Sequence, residues 1–321
     1  MASLKKRHIS TSNASVTSVL QRLARNERYV ELGCINTDLA LSTYENVRDT
    51  ASTETKSCIG GELGMKVNGS VFDDVPFILS AHDSDGAAKL VKILRVPEGA
   101  TQLSLRQRDV RYEAESCKFL HDAIVPMERK TIVIDLELAA KVNCRVGENE
   151  VLIMPWYTST LNKHPSNCLG WIATEGRRLL GALKYLHAHP DHDGGYVHMD
   201  VKAMNIFVDH STRCFLGDFG SCKPCGSPIT SCSTAFCWKD VLGELAHPKF
   251  DYFMFLLMIL IECLEDRRTY TSEFYDIGSR HASMAKVVQA ANDRIELDSS
   301  PPGLVALLRE VLGKLEEFGL T

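Results

Sequence analysis

The sequence predicts an α+β protein of two lobes, a small strand-rich first part and a larger, mainly helical second part. Three observations carry that expectation. Between about residues 58 and 153, apolar and β-branched residues come in short runs divided by turn signals, the pattern of strands. Beyond residue 165 they recur at helical spacing instead, with Ile172, Leu179, Leu180, Leu183 and Leu186 on one face. The run Tyr252–Ile261, "YFMFLLMILI", is apolar throughout and flanked by Asp251 and Glu262. Ten helical residues cannot cross roughly 30 Å of hydrocarbon, so the run reads as a buried core helix and no membrane span is expected.

The 321 residues, 45% of them apolar, suffice for two lobes with full cores. Residues 1–55 are polar and Ser/Thr-rich and are expected to form a flexible extension, followed by lobes over 56–157 and 158–321. Up to Glu27 the extension is basic, as in a transit peptide, although a polar leader running into an amphipathic helix near Val16–Tyr29 is the simpler reading. The first strands read as "VPFILSAH", Val75–His82, then "AAKLVKILRV", Ala87–Val96, after an Asp85-Gly86 turn signal. A helical stretch, "RYEAESCKFLHDA", falls at Arg111–Ala123, and "EVLIMPWY", Glu150–Tyr157, closes the strand-rich part. The last helix, Leu304–Phe318, starts behind Pro301-Pro302 with a leucine stripe.

A net charge of −5 argues against a nucleic-acid binder built on bulk charge. The N-terminus has no apolar h-region, so no secretory signal is expected and the eleven cysteines are read as reduced, in an intracellular setting, cytoplasmic or nuclear.

The chemistry-bearing stretch is "GYVHMDVKAMNIFVDHSTRCFLGDFG", Gly195–Gly220. Ile206–Val208 and Cys214–Leu216 are short β-type runs around a turn-like Asp209–Thr212. If the turn centres between Ser211 and Thr212, Asn205 and Asp218 face each other, with Cα atoms about 5 Å apart. An amide oxygen and a carboxylate so placed are how a chain chelates Mg²⁺ through hard oxygens. Asp200 lies just upstream with Lys202 beside it. A carboxylate to orient a hydroxyl, an ammonium to offset phosphate charge and two metal ligands make a phosphoryl-transfer site.

His198-x-Asp200-x-Lys202-x-x-Asn205, followed by Asp218-Phe219-Gly220, resembles the catalytic loop and DFG segment of eukaryotic protein kinases. The resemblance covers roughly residues 58–312 and implies a bilobal kinase-like fold. It makes Asp200 the catalytic base and Lys202 a γ-phosphate contact, with Asn205 and Asp218 as Mg²⁺ ligands. A Lys two places after the Asp is similar to Ser/Thr-directed kinases; small-molecule kinases of related fold usually lack it. Lys92 in "KLVKIL" resembles the strand lysine that binds the α/β-phosphates, and its helix partner is Glu113 or Glu115. These two point about 200° apart on a helix, so only one faces the cleft, and Glu113 is favoured. "VLIMPWY" resembles the hinge between lobes. Met154 becomes the gatekeeper, Pro155 offers its C=O to the adenine amino group and Tyr157 its N–H to the purine ring. Asp251 resembles the buried Asp that begins the central helix of the large lobe.

Three departures stand out. The phosphate-covering turn should lie near Asn68–Phe77, "NGSVFDDVPF", which has one glycine, Gly69, and two acids, Asp73 and Asp74. Acids repel a triphosphate, and missing glycines hinder close backbone approach; pairing Gly64 with Gly69 restores two glycines only with an insertion before Lys92. The family's APE motif is replaced by "FCWKD", ending at Asp240. Met199 stands where kinases switched by loop phosphorylation carry an Arg, and a thioether cannot pair with phosphate. Activity that needs no loop phosphate is the expectation. Cys222, Cys225, Cys232 and Cys237 cluster behind the DFG segment; reduced thiols are expected, zinc being the alternative although the second pair lacks knuckle spacing.

The resemblance therefore implies an ATP- and Mg²⁺-dependent Ser/Thr protein kinase acting on a protein substrate. The alternatives are a pseudokinase that keeps the fold as a scaffold, and a kinase of small molecules or lipids.

Overall fold

A computed structural model describes residues 59–72, 75–94, 103–134, 146–164, 168–264 and 273–320. The extension over 1–55, with its expected helix, and the Asp73-Asp74 pair lie outside them.

Five antiparallel strands form a sheet in the order β1-β2-β3-β5-β4. They are β1 Lys66–Phe72, β2 Val75–His82, β3 Ala88–Leu94, β4 Glu128–Ile134 and β5 Gly147–Pro155. Alternation sends Leu79, Ala81, Val91, Ile93, Ile132, Ile134, Val151 and Ile153 to one face. That face is closed by helical residues 59–63, through Ile59 and Leu63. The strand-like reading from residue 58 is corrected here: Gly60 and Gly61 hide the helical turn, yet Gly60 is required. A Cβ on it would come within 2.6 Å of the Met65 carbonyl oxygen.

The opposite face carries Leu94, Leu152 and Met154 and packs on helix α1, Leu103–Glu115. Sequence periodicity placed that helix at 111–123. It ends eight residues earlier, and Ser116–Lys118 continues as one 3-10 turn before Phe119 turns extended.

The second part is built on α2 Leu169–His187, α3 Pro248–Glu262, α4 Met284–Glu296 and α5 Pro302–Glu317. Helix α3 is buried from Phe250 through Glu262, which explains a sequence that is apolar all round. It starts on a helix-compatible Pro248, and the side chain of His247 accepts the Lys249 N–H. The stripe Ile172, Leu179, Leu180, Leu183 and Leu186 of α2 is buried with it in one core. Gly176 lets α5 approach, since a Cβ there would lie 2.6 Å from Leu307. The architecture is thus α+β and bilobal, with the sheet region first and the helical region second.

Two small sheets line the seam. Strands β6 Ser159–Thr160, β8 Ile206–Val208 and β9 Cys214–Leu216 form one, and β7 Tyr196–Val197 pairs with β10 Lys223–Pro224 in the other. Among the described residues no helix is long and apolar enough to cross a membrane. Nor, among them, is any group of three or more His, Cys, Asp and Glu placed to hold a metal ion. Burial raises the Cys222 and Cys225 thiols, keeping them protonated.

Candidate active site

The site rests on a buried carboxylate. Asp251, in the first turn of α3, is wholly enclosed. It accepts the backbone N–H of His198 at 2.7 Å and of Met199 at 2.8 Å, and pairs with His187 Nε2 at 2.9 Å. These bonds hold Met199 at φ +63°, a left-handed conformation unusual for a side chain with a Cβ. The bend sends the Met199 side chain into the core, fully buried, and brings Asp200 out on the other side. His198 is also buried, its Nε2 3.0 Å from the Gly217 carbonyl and its ring 4.9 Å from that of Phe219. Two hydrogen-bonded steps therefore link the central helix to both chemistry-bearing loops.

Asp200 is held from two sides. Asn205 Nδ2 donates to its carbonyl and to its Oδ2, both at 2.8 Å, and Lys202 Nζ lies 3.1 Å from Oδ2. The other oxygen, Oδ1, is buried without a hydrogen-bond partner, an arrangement costly enough to call for a ligand or a function. Lys202 Nζ also donates to Ser233 Oγ at 2.6 Å, tying the loop to the segment behind Gly220.

Strands β8 and β9 do form the expected hairpin, but its register is shifted by one. Ile206 faces Leu216 and Val208 faces Cys214, and the Gly217 N–H bonds the Asn205 carbonyl at 2.9 Å. Asn205 therefore stands opposite Gly217, with Asp218 one residue beyond. The cause is a three-residue loop, His210–Thr212, in which Thr212 takes φ +62° and Asp209 Oδ1 accepts the Ser211 and Arg213 N–H groups. Gly217 is obligatory at its position, since a Cβ would fall 2.6 Å from the Phe207 ring and 2.9 Å from Val125.

Asp218, at φ +53°, meets the sheet through Lys92. Lys92 Nζ on β3 lies 2.9 Å from Asp218 Oδ1 and 2.5 Å from Glu113 Oε1 on α1. Burial pulls the ammonium pKa down, but the Asp218 and Glu113 charges outweigh it and hold Lys92 charged. The Lys92 charge in turn holds the Asp218 carboxyl well below the usual range against its own desolvation. Even so, 43% of the Asp218 side chain opens to the cleft. Glu115, the competing acid, points elsewhere: its Oε2 accepts the Tyr196 hydroxyl at 2.6 Å. Burial and this bond push the Tyr196 phenol upward, so it remains a donor.

Met154 and Pro155 end β5, facing Leu90 and Lys89 of β3. Tyr157 is buried, its ring 5.4 Å from Phe207 and 5.3 Å from Phe215. Burial raises its phenol pKa, so the group stays neutral. Gly69 sits inside β1 opposite Ser80, while Gly64 precedes the strand with φ +66°. Strands β1 and β2 pair as far as Phe72–Val75, with irregularities between Val67 and Gly69 and between Ser70 and Phe72. A cavity of about 490 Å³ beside β5, lined by Leu63, Met65, Lys89, Met127 and Met154, includes none of the charged site residues. Asp240 caps its own turn, its Oδ1 accepting the Leu242 N–H at 3.1 Å.

Ser233 and Tyr196 carry no signal in the sequence, because each acts through a partner at least thirty residues away. The rings of Phe119 and Phe219, 5.4 Å apart, were equally hidden.

The sequence has named relatives. The chain is 34% identical over 106 residues to the serine/threonine-protein kinase US3 of Human herpesvirus 1 (strain 17), and 34% identical over 107 residues to that of Human herpesvirus 2 (strain HG52). Each match spans 32% of this chain. Over 56 residues, 17% of the chain, it is 48% identical to the US3 homolog of Gallid herpesvirus 2 (strain GA). The chain is related to the protein kinase superfamily. The matches span 18%, 18% and 13% of these kinases' own lengths. No family model matches this kinase-related chain.

Proposed function

We propose that the chain is an ATP- and Mg²⁺-dependent protein kinase that transfers the γ-phosphate to Ser/Thr hydroxyls. The observation that carries this reading is Asp200: Oδ2 is engaged by Asn205 and Lys202, and Oδ1 is buried with no partner. A substrate hydroxyl is the group that completes it. As the hydroxyl oxygen bonds to the γ-phosphorus, its proton passes to Asp200 Oδ1, the bond from phosphorus to the β–γ bridging oxygen breaks, and ADP leaves with the electron pair. Lys202, 3.1 Å from Asp200, offsets phosphate charge. Lys92, held by Glu113 and Asp218, serves the α/β-phosphates. Gly69 and its hairpin cover the phosphates, with Met154 as gatekeeper and the Pro155 carbonyl and Tyr157 N–H as adenine contacts.

The oxygen set fits a hard cation. Both Asn205 amide bonds recorded here use its nitrogen, leaving a carbonyl oxygen as its remaining offer, and the Asp218 carboxylate is half open to the cleft. Mg²⁺ on these two residues would neutralise phosphate charge. The reading of Ser/Thr acceptors rests on Lys202 standing two places after Asp200, where its Nζ lies 3.1 Å from the carboxylate.

The test is transfer of labelled γ-phosphate to generic protein substrates, followed by phosphoamino-acid analysis. Labelled Ser or Thr from the wild-type chain, reduced at least about 10³-fold by Asp200→Ala, is the expected result. Label found only in small molecules or lipids contradicts it. The scaffold reading is favoured by one observation, a β1–β2 hairpin with a single glycine beside two acids. A melting temperature that never responds to Mg·ATP selects that reading.

A further inference from the structure

Lys223 is the only lysine buried outright among the described residues, at 1% exposure. Its Nζ donates to Thr230 Oγ1 at 2.6 Å and lies 3.7 Å from Asp109 Oδ1. Thr230 Oγ1 donates to Asp109 Oδ2 at 2.9 Å, so the three groups close a ring. Each belongs to a different part of the machinery. Asp109 is on α1 one turn before Glu113, on the same face. Lys223 is in β10, paired with Val197 immediately before His198. Thr230 lies farther along the segment that reaches Lys202 through Ser233.

A buried ammonium requires an anion. In kinases switched by loop phosphorylation the anion near this segment is a phosphate, paired in part by the Arg that Met199 replaces. Here Met199 is neutral and turned into the core, and a carboxylate of α1 is already on the lysine. We propose that Asp109, Lys223 and Thr230 are positioning residues. They hold α1 so that Glu113 stays on Lys92, with the Asp109 carboxylate serving as the fixed anion and unmodified Thr230 as the active form. The inference rests on the kinase reading for its effect on rate, but not for its effect on α1.

A consequence separates this device from a phosphate-activated one. Phosphate on Thr230 would remove the donor to Asp109 and set roughly two negative charges against it, so modification there switches the chain off. A Thr230→Glu substitution imitates the charge and the lost donor.

The experiment compares the full chain with Thr230→Val, Thr230→Ser and Thr230→Glu, and with Asp109→Leu, Lys223→Met and their double variant. Two readouts are taken: amide hydrogen exchange over residues 103–115, and the separate kcat and KM for ATP. Thr230→Val is isosteric, and exchange in α1 is expected to rise about tenfold while kcat falls about tenfold; Thr230→Ser restores both. Thr230→Glu behaves as Thr230→Val or worse. The Asp109→Leu/Lys223→Met double variant loses less than the two single losses combined, because neither charge is left unpaired. Unchanged α1 exchange in Thr230→Val, or a gain of activity in Thr230→Glu, overturns the inference. A wild-type chain without phosphotransfer, but with the predicted exchange pattern, removes the kinase reading and leaves the positioning role standing.

Discussion

The loop around Asp200 and the β1–β2 hairpin are constructed in opposite ways. The loop is bolted to the core: Asp251, His198 and Met199 are all buried, and each backbone bend is held by a named hydrogen bond. The hairpin has two register slips, and its sequence carries one glycine and two acids where the resemblance expects a glycine-rich turn. The contrast teaches where divergence is tolerated. Groups that must hold an angular relation to a reacting phosphorus are over-determined by buried contacts. A lid acts through proximity and charge, and it can drift at a smaller cost.

The sharpest way to break the contrast is at its deepest bolt. Asp251→Ala leaves two backbone donors and His187 Nε2 without their acceptor. A loss of about 3–5 kcal/mol is expected, seen as a melting temperature lower by about 5–7 °C. Next comes Gly217→Ala, whose Cβ would collide with Phe207 and Val125 beside Asp218. About 1–3 kcal/mol of stability is expected to go, and phosphotransfer falls more than stability does because Asp218 is displaced. The smallest effect belongs to the lid. Replacing Asp73 and Asp74 together with Gly is expected to lower KM for ATP about threefold to tenfold with the melting temperature unchanged, measured by initial rates over an ATP series. A lid change larger than the Gly217 effect would reverse the comparison.

What the sequence made legible follows the same division. Strand β2 was readable to the residue, since a period of two needs only neighbours along the chain. Helix α3 was readable from composition alone. Helix α1 was misplaced because acids on more than one of its faces, not only apolar residues, are engaged by distant partners. Asp109, Glu113 and Glu115 are each held by a separate partner, Lys223, Lys92 and Tyr196, at least twenty-one residues away, which no local pattern reveals. The hairpin register slipped by one because a left-handed Thr212 allows a three-residue loop, and threonine seldom takes that conformation. The motif spacing proposed Asp200, Lys202, Asn205 and Asp218 together, and the first three do touch. That Asn205 grips Asp200 rather than facing Asp218 was not readable.

The central claim is that this firmly held floor accepts Mg·ATP despite its divergent lid. Calorimetric titration of ATP, with and without Mg²⁺, into the wild-type chain, Lys92→Met and Asp218→Asn tests it most directly. Binding is expected to tighten with Mg²⁺ in the wild type, to weaken about tenfold or more in Lys92→Met, and to lose its Mg²⁺ dependence in Asp218→Asn. ATP binding that is absent, or that is indifferent to Mg²⁺ and to both substitutions, contradicts the claim.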